Sequence, residues 1–314
     1  MTTTTTPSAP PSATTAARAT GKPRGPGKRE ARWGMILAAP AFLHSLIWIG
    51  IPVIVALALS FTSYDMVTAP VFVGFDNYAN IFSDALFWRA MRNNLVLAVV
   101  GIPVSMLIAL VLAVLLNRGV RGQSLFRTLI FLPHVTATVA VALIWLWIFA
   151  ATDNGLANVV LSFFGIDAQP WLNDPNTALP AVLVVTIWQG IGLKMLIYLA
   201  SLQGLSPELY EAADIDGAGP IRTFVSITVP MLRPATFFVL VTSIVANFQT
   251  FDLIYVLTLG GPANSTTVIT YQIYQTAFQQ LRMGLATAQS VILLLILVAL
   301  TILSRKVVGG TRGD

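Results

Sequence analysis

A group of polar side chains interrupts the apolar stretch between residues 235 and 259. The stretch contains Asn247, Gln249, Thr250 and Asp252, interleaved with Phe248, Phe251 and Tyr255. Carboxamides and a carboxylate can pair with sugar hydroxyls, while aromatic rings cover the apolar face of a sugar ring. The combination predicts a path for a hydroxyl-rich small molecule, with Asn247, Gln249 and Asp252 as substrate contacts.

A structural role explains part of the same group equally well. Asn247 and Gln249 could instead hold neighbouring helices together through hydrogen bonds. On one continuous helix the polar side chains would point in more than one direction, so not all of them could line one path. Asp252 lies near the predicted outer interface, where water alone could hydrate its carboxylate.

Two further polar residues lie inside another apolar run. Gln189, between Trp188 and a glycine, is a fourth candidate substrate contact, although a single amide often serves packing. Lys194 precedes Ser201 by seven residues, about 10 Å along a helix, so its ammonium is predicted to snorkel to the nearer end of the span in a structural role.

The usual residue patterns of enzymes are missing from the sequence. It contains no GxxxxGK[ST] phosphate-binding loop, no nucleophile elbow, no HExxH pair and no cysteine. His44 and His134 lie on different apolar runs without further ligands at metal spacing. We therefore predict no catalytic residue, no metal site and no cofactor in this chain, and any energy from ATP must enter through another polypeptide.

Composition identifies the elements that must position these side chains. Hydrophobic residues make up 56% of the chain and charged residues only 10%, which is typical of a membrane protein. Six apolar runs are long enough to span a bilayer as helices. They are Met35 to Phe61, Asn94 to Leu116, Leu129 to Ala151, Ala178 to Ala200, Ala235 to Leu259 and Leu285 to Leu303. The prediction is an all-α integral membrane protein with six transmembrane helices.

Lysine and arginine residues indicate the orientation. They cluster before the first run, in the loops around residues 118–127 and 206–234, and after the last run, whereas most aspartates fall in the other loops. The positive-inside tendency then places both termini and the 206–234 loop in the cytoplasm. We divide the chain into a disordered basic tail (1–34), a six-span domain (35–304) and a C-terminal tail (305–314). We predict that the basic tail lies near anionic lipid and does not bind nucleic acid.

The 206–234 loop combines charge with turn residues. Ser206 ahead of a proline predicts a helix start with a hydroxyl cap, and Gly217 predicts its end in a left-handed turn. Gly219 ahead of another proline restarts a helix, which Pro230 and the proline at the end of the loop should stop. The loop is therefore predicted to form two short helices joined by a glycine elbow, a shape that suits docking of another protein.

The loop resembles the EAA signature of permease subunits in binding-protein-dependent ABC importers. The residues that match the signature are Glu211, Ala212, Ala213, Gly217, Ile227 and Pro230. Its carbohydrate-importer form is also matched by Asp216, Ala218, Phe224 and Pro234. One position departs from the signature: Val229 stands where leucine is usual. Outside the loop, GFDNYANIF before the second run and Gly260-Gly261-Pro262 after the fifth resemble the first permease of the MalF or UgpA kind.

The resemblance implies a multi-subunit importer in the cytoplasmic (inner) membrane. Its other parts would be a second homologous permease, two ATPase subunits that bind ATP and Mg²⁺, and an extracytoplasmic substrate-binding protein. The residues implied in ATPase coupling are Glu211 as a charge partner, Ala212 and Ala213 as close-contact surface, Gly217 as elbow, and Asp216 and Ala218 beside it. Import would follow by alternating access.

Two other classes of protein are weighed on the residues alone. An ion-coupled secondary transporter would show repeated halves and intramembrane acidic relays, and only Asp252 is available. A membrane-embedded enzyme would need converging catalytic groups. Within the importer class, sugar, oligosaccharide, polyol and glycerol phosphodiester substrates stay open. The scarcity of positive charge in the spans beyond Lys194 favours a neutral carbohydrate.

Overall fold

A computed structural model describes residues 28–117, 119 and 121–308. The predicted tails therefore lie largely outside the described residues. Where they are described, both are helical: the first helix begins at Lys28, and the last continues to Val308. The domain boundaries at residues 34 and 305 stay predictions. The helices continue across both positions because the flanking charged residues are good helix formers, and Arg305 and Lys306 also stabilise the carbonyl end of the last helix.

The described residues are predominantly helical. The helices are α1 (Lys28–Ser45), α2 (Ile51–Leu59), α3 (Asp76–Ser83), α4 (Ala85–Val96), α5 (Ile102–Asn117), α6 (Gln123–Val135), α7 (Thr138–Ile148), α8 (Leu156–Ser162), α9 (Ala178–Gln203), α10 (Pro207–Ile215), α11 (Pro220–Thr223), α12 (Val229–Met231), α13 (Arg233–Phe248), α14 (Asp252–Leu257), α15 (Ile269–Tyr274) and α16 (Met283–Val308). Single π-helical turns occupy Leu46–Gly50, Leu97–Gly101, Phe224–Thr228 and Gln275–Gln279. Strands β1 (Thr62–Ser63) and β2 (Val71–Phe72) pair antiparallel.

Within the described residues, four helical segments are long and apolar enough to cross a membrane. They are Arg32–Leu59, Ala85–Asn117, Ala178–Gln203 and Met283–Lys306. Two pairs of shorter helices meet the same test when each pair is taken together, which raises the number of spans to six. The prediction of a six-span helical membrane protein agrees with this architecture.

The third predicted run is not a straight helix. Helices α6 and α7 meet at Thr136 and Ala137 with a bend of 98°. Pro133 supplies no amide to the helical ladder, and the Thr136 hydroxyl donates a hydrogen bond of 2.8 Å to the Leu132 carbonyl, so backbone pairing weakens at this point. Uniform apolarity concealed the bend from the sequence analysis.

The fifth predicted run is also interrupted. Helix α13 ends at Phe248, Gln249 to Phe251 are not helical, and the short helix α14 begins at Asp252. At its other end, α13 is preceded by the helical stretch Pro220–Met231, with a bend of 64° between them. The polar group predicted to lie on a continuous helix therefore lies at a helix break.

The described residues fall into two compact units, which divide between Ile54 and Val55. In the first, the side chains of residues 32–49 are all exposed, including Trp33, Phe42 and Trp48, as expected for a lipid-facing helix. In the second, buried apolar side chains form three clusters. One joins α5, α9 and α13, and another joins α7, α9, α14 and α15. These two clusters position the cavity described next.

Candidate functional site

A cavity of about 350 Å³ opens in the second unit between α5, α6, α7, α9 and α13. Its lining includes all the predicted substrate contacts, Gln189, Asn247, Gln249 and Asp252. The cavity is thus bounded by helices far apart in the sequence. Its size lies within the range of small-molecule sites.

The helix break explains how neighbouring residues can share one surface. On a continuous helix, Asn247, Gln249 and Asp252 would face different directions. Because α13 ends at Phe248, the backbone of the next three residues is free to turn their side chains to the cavity. The expectation that not all of these residues could line one path is therefore wrong. Phe251 lines the cavity and stacks on Tyr255 with ring centres 5.4 Å apart, whereas Phe248 is fully buried in an apolar cluster away from it.

Asn247 has spare hydrogen-bonding capacity. Its side chain is only 5% exposed, and its Oδ1 atom is buried without a partner among the described residues. Its backbone carbonyl accepts a hydrogen bond of 3.4 Å from Asn94 Nδ2, while Asn94 Oδ1 accepts one of 2.8 Å from the Ile269 amide. Asn94 thus holds α4, α13 and α15 together, whereas Asn247 Oδ1 is left without a partner among the described residues.

The roles of Asn94 and of two hydroxyls in this region were not predicted from the sequence. Gln189 Nε2 donates a long hydrogen bond of 3.4 Å to Thr138 Oγ1 at the start of α7. Ser105 on α5 contributes its hydroxyl to the opposite wall. Asn94 carries a buried amide at the start of a predicted span, which is itself a signal. Single hydroxyls inside apolar runs, such as those of Thr138 and Ser105, give almost no signal in the sequence.

Lys194 lies within the cavity wall. Its Nζ atom donates a hydrogen bond of 2.7 Å to Ser105 Oγ, and the side chain extends back along α9 to within 2.9 Å of the point where a Cβ atom on Gly190 would lie. The predicted snorkelling toward the nearer, carboxyl end of α9 is wrong, because helical side chains tilt toward the amino end of their helix. His134, which the sequence analysis set aside, lines the same cavity.

The 206–234 loop forms the predicted pair of helices with two differences. Gly217 ends the first helix at φ +70°, and α11 begins at Pro220, as expected. Ser206 has extended backbone, but its hydroxyl makes no capping hydrogen bond. The second helical stretch does not end at Pro230 itself but one residue later, at Met231, where a bend of 64° separates it from α13.

The loop presents only some of the residues assigned to docking. Glu211, Ala212, Asp216 and Gly217 are exposed, and Ala218 is half-buried. Ala213 is buried within the chain itself, with 5% of its surface exposed. The expectation that both alanines offer a contact surface to a partner is therefore wrong for Ala213, which faces inward on a short amphipathic helix.

Residues 101–312 match the family described as binding-protein-dependent transport system inner membrane component. This range contains the 206–234 loop and the four predicted substrate contacts. The chain is 35% identical, over 76% of its length and 80% of the relative's, to the sn-glycerol-3-phosphate transport system permease protein UgpA of Pectobacterium atrosepticum. It is 36% identical, over 78% of its length and 83% of the relative's, to the lactose transport system permease protein LacF of Rhizobium radiobacter.

Solved structures show the same likeness. The chain superposes with a TM-score of 0.75 and 26% identity on a chain of a bacterial alginate ABC transporter crystallised with its alginate pentasaccharide-bound periplasmic protein. The superposition covers 88% of this chain and 93% of the other. The similarity therefore extends over most of both chains.

Proposed function

Because this chain belongs to the family of binding-protein-dependent transport system inner membrane components, and is a multi-pass permease subunit of a sugar ABC importer, we propose that its substrate crosses the membrane through the cavity at the α13 break. The observation that carries this proposal is the position of Asn247. A buried carboxamide oxygen without a partner costs free energy unless a ligand or water binds it. A transported sugar would supply hydroxyl donors at that position.

The proposed partners follow from the family. A second homologous permease would complete the translocation path, an ATPase dimer would bind ATP and Mg²⁺, and an extracytoplasmic binding protein would deliver substrate. The distribution of lysine and arginine supports cytoplasmic termini. An ion-coupled secondary transporter is not favoured, because the matched family depends on binding proteins.

The proposed coupling site is the exposed part of the 206–234 loop. Helix α10 presents Glu211 and Ala212 together, and Asp216 and Gly217 follow at its end. The loop is tied to the following helical stretch by a hydrogen bond of 3.2 Å between the Tyr210 and Thr228 hydroxyls. Docking of α10 in an ATPase cleft would then move that stretch with it, in the manner of a rigid lever.

Purification of the tagged chain from native membranes in mild detergent tests this function. We expect a Walker-motif ATPase and a second six-span permease to co-purify, and the complex to take up sugar into liposomes only with ATP and a binding protein. Recovery of the chain alone, with uptake driven by an ion gradient and no ATP, would contradict the proposal.

Replacing Asn247 with leucine should reduce ATP-dependent uptake about tenfold without loss of the ATPase from the complex, because a buried ligand hydrogen bond is worth about 1–3 kcal/mol. Asn158→Leu is the matched control. Both polar atoms of Asn158 are satisfied, with Nδ2 donating to the Ala150 carbonyl and Oδ1 accepting from Trp171 Nε1. Its substitution should lower thermal stability instead. Unchanged uptake by Asn247→Leu would favour a packing role.

Replacing Ala212 with tryptophan should separate the ATPase from this chain, with a drop of at least tenfold in co-purified ATPase, because a large ring would stand where the proposed docking surface approaches α10. Ala213→Trp should instead disturb the loop itself, since Ala213 is buried. The checks are ATPase recovery and the limited-proteolysis pattern of the loop. Full ATPase retention by Ala212→Trp would place docking elsewhere.

A further inference from the structure

We propose that the part of the cavity around Lys194 recognises an anionic group, so that the transported substrate is an acidic saccharide bearing a carboxylate, phosphate or sulfonate. This inference rests on the proposed function of the cavity. It departs from the expectation of a neutral carbohydrate, which rested on the scarcity of positive charge in the spans beyond Lys194.

Lys194 has a neutral hydrogen-bond partner and no anionic one. Its ammonium donates to Ser105 Oγ at 2.7 Å, and an ammonium has three donors. No salt bridge to it is formed among the described residues. An ammonium within a membrane span is costly unless it faces a cavity or an anion, and such residues mark substrate paths. The ammonium N–H groups of Lys194 that do not bond to Ser105 therefore need an acceptor, and a molecule inside the cavity must supply it.

The acidic residue in the cavity lining does not pair with Lys194. Asp252 is the one carboxylate among the lining residues and begins α14. Within the part of the chain that the structure describes, it forms no salt bridge with Lys194, whose ammonium bonds to Ser105 instead. The charge of Lys194 is therefore not neutralised by a direct ion pair.

The chemistry of the cavity lining fits one kind of ligand. At the α13 break, the carboxamides of Asn247 and Gln249 and the carboxylate of Asp252 suit the hydroxyls of a sugar. On the α9 wall, Lys194 suits a charged oxygen, and hydrogen bonds between ionised groups are about twice as strong as neutral ones. His134, on the wall of the same cavity, adds a second nitrogen donor. A neutral sugar would leave the ammonium uncompensated.

The test compares matched acidic and neutral sugars. The complex, isolated through a tag on this chain and reconstituted with its binding protein, is offered three radiolabelled pairs: a hexuronate-containing disaccharide, a hexose phosphate and a sulfonated hexose, each with its neutral parent. We expect at least one acidic member to be imported tenfold or more faster than its parent. Import of neutral members alone would overturn the inference and leave the proposed function standing.

Substitutions at Lys194 separate recognition from packing. Lys194→Met keeps an unbranched side chain without the charge and should slow the acidic member at least tenfold more than its neutral parent. Lys194→Arg should retain the preference for the acidic member. Equal slowing of both members by Lys194→Met would mean that the lysine only packs α5 against α9. Absence of ATP-dependent import for all six compounds would count against the proposed function itself.

Discussion

A Gly217→Val chain should insert into the membrane normally and import almost nothing. Gly217 lies at the end of α10 with φ +70°, a conformation that a β-branched residue adopts only under strain. No heavy atom lies within 4 Å of the position that a Cβ atom would take, so the strain comes from the backbone and not from a clash. The expected effect is therefore on the angle between α10 and α11, not on folding of the spans.

The size of the effect follows from the cost of that conformation. A residue held in a sparsely populated backbone region costs about 1–3 kcal/mol. A cost of about 2 kcal/mol would reduce the population of the native elbow roughly thirtyfold. If uptake requires the native elbow for ATPase docking, it should fall by a similar factor. Uptake and co-purified ATPase are the quantities to measure, at equal amounts of membrane-inserted chain.

Gly219 supplies the control. It lies two residues later, also with open space around it, but at φ −66° and ψ 162°, which any residue adopts. Gly219→Ser should therefore retain uptake, since serine also suits the start of α11. Gly217→Asn should fall between the two because asparagine tolerates positive φ. Normal uptake by Gly217→Val would remove the elbow from the coupling mechanism.

Gly192→Ala should lower the stability of the whole chain. A Cβ atom at this position would lie 2.5 Å from the Ile130 carbonyl oxygen and 2.8 Å from the Phe131 Cα atom. Both are backbone atoms of α6, so α6 and α9 would have to separate. Small residues permit such close helix packing in membranes, and overpacking costs about 1–3 kcal/mol. The denaturation midpoint of the detergent-purified chain should fall by several degrees.

Gly190 on the same helix is the matched control. A Cβ atom there would meet the Lys194 Nζ atom at 2.9 Å, the movable end of a flexible side chain. Gly190→Ala should therefore leave the midpoint near that of the unaltered chain. Equal midpoints for both variants would show that α6 and α9 do not depend on the close approach at Gly192.

The sequence predicted those parts of the fold that depend on local composition. Apolar runs located the four continuous helical segments that can cross a membrane, because burial in lipid demands nearly continuous hydrophobicity. Gly217 and Pro220 located the ends of α10 and α11 because their backbone preferences are intrinsic. The π-helical turn Phe224–Thr228 had no such local signature.

The candidate site was predictable by residue type but not by geometry. Asn247, Gln249 and Asp252 attracted notice because polar groups are rare in spans, yet the helix break that brings them to one cavity depends on tertiary contacts of α14 with α7 and α9. The direction of Lys194 depends on Ser105, which lies on another helix. Pairings between distant segments determine both, and a single sequence does not display them.

The bend between α6 and α7 has a consequence for how the protein is made. The two helices contain 13 and 11 residues, about 20 Å and 17 Å in length, and the hydrocarbon layer is about 30 Å thick. Neither is long enough to cross alone, and each packs on an element that follows it in the chain, α6 on α9 and α7 on α14. A nascent chain that has not yet emerged as far as Asp252 lacks one of these supports. Stable insertion of this span must therefore wait for later parts of the polypeptide, which makes biogenesis sensitive to truncation well beyond the span itself.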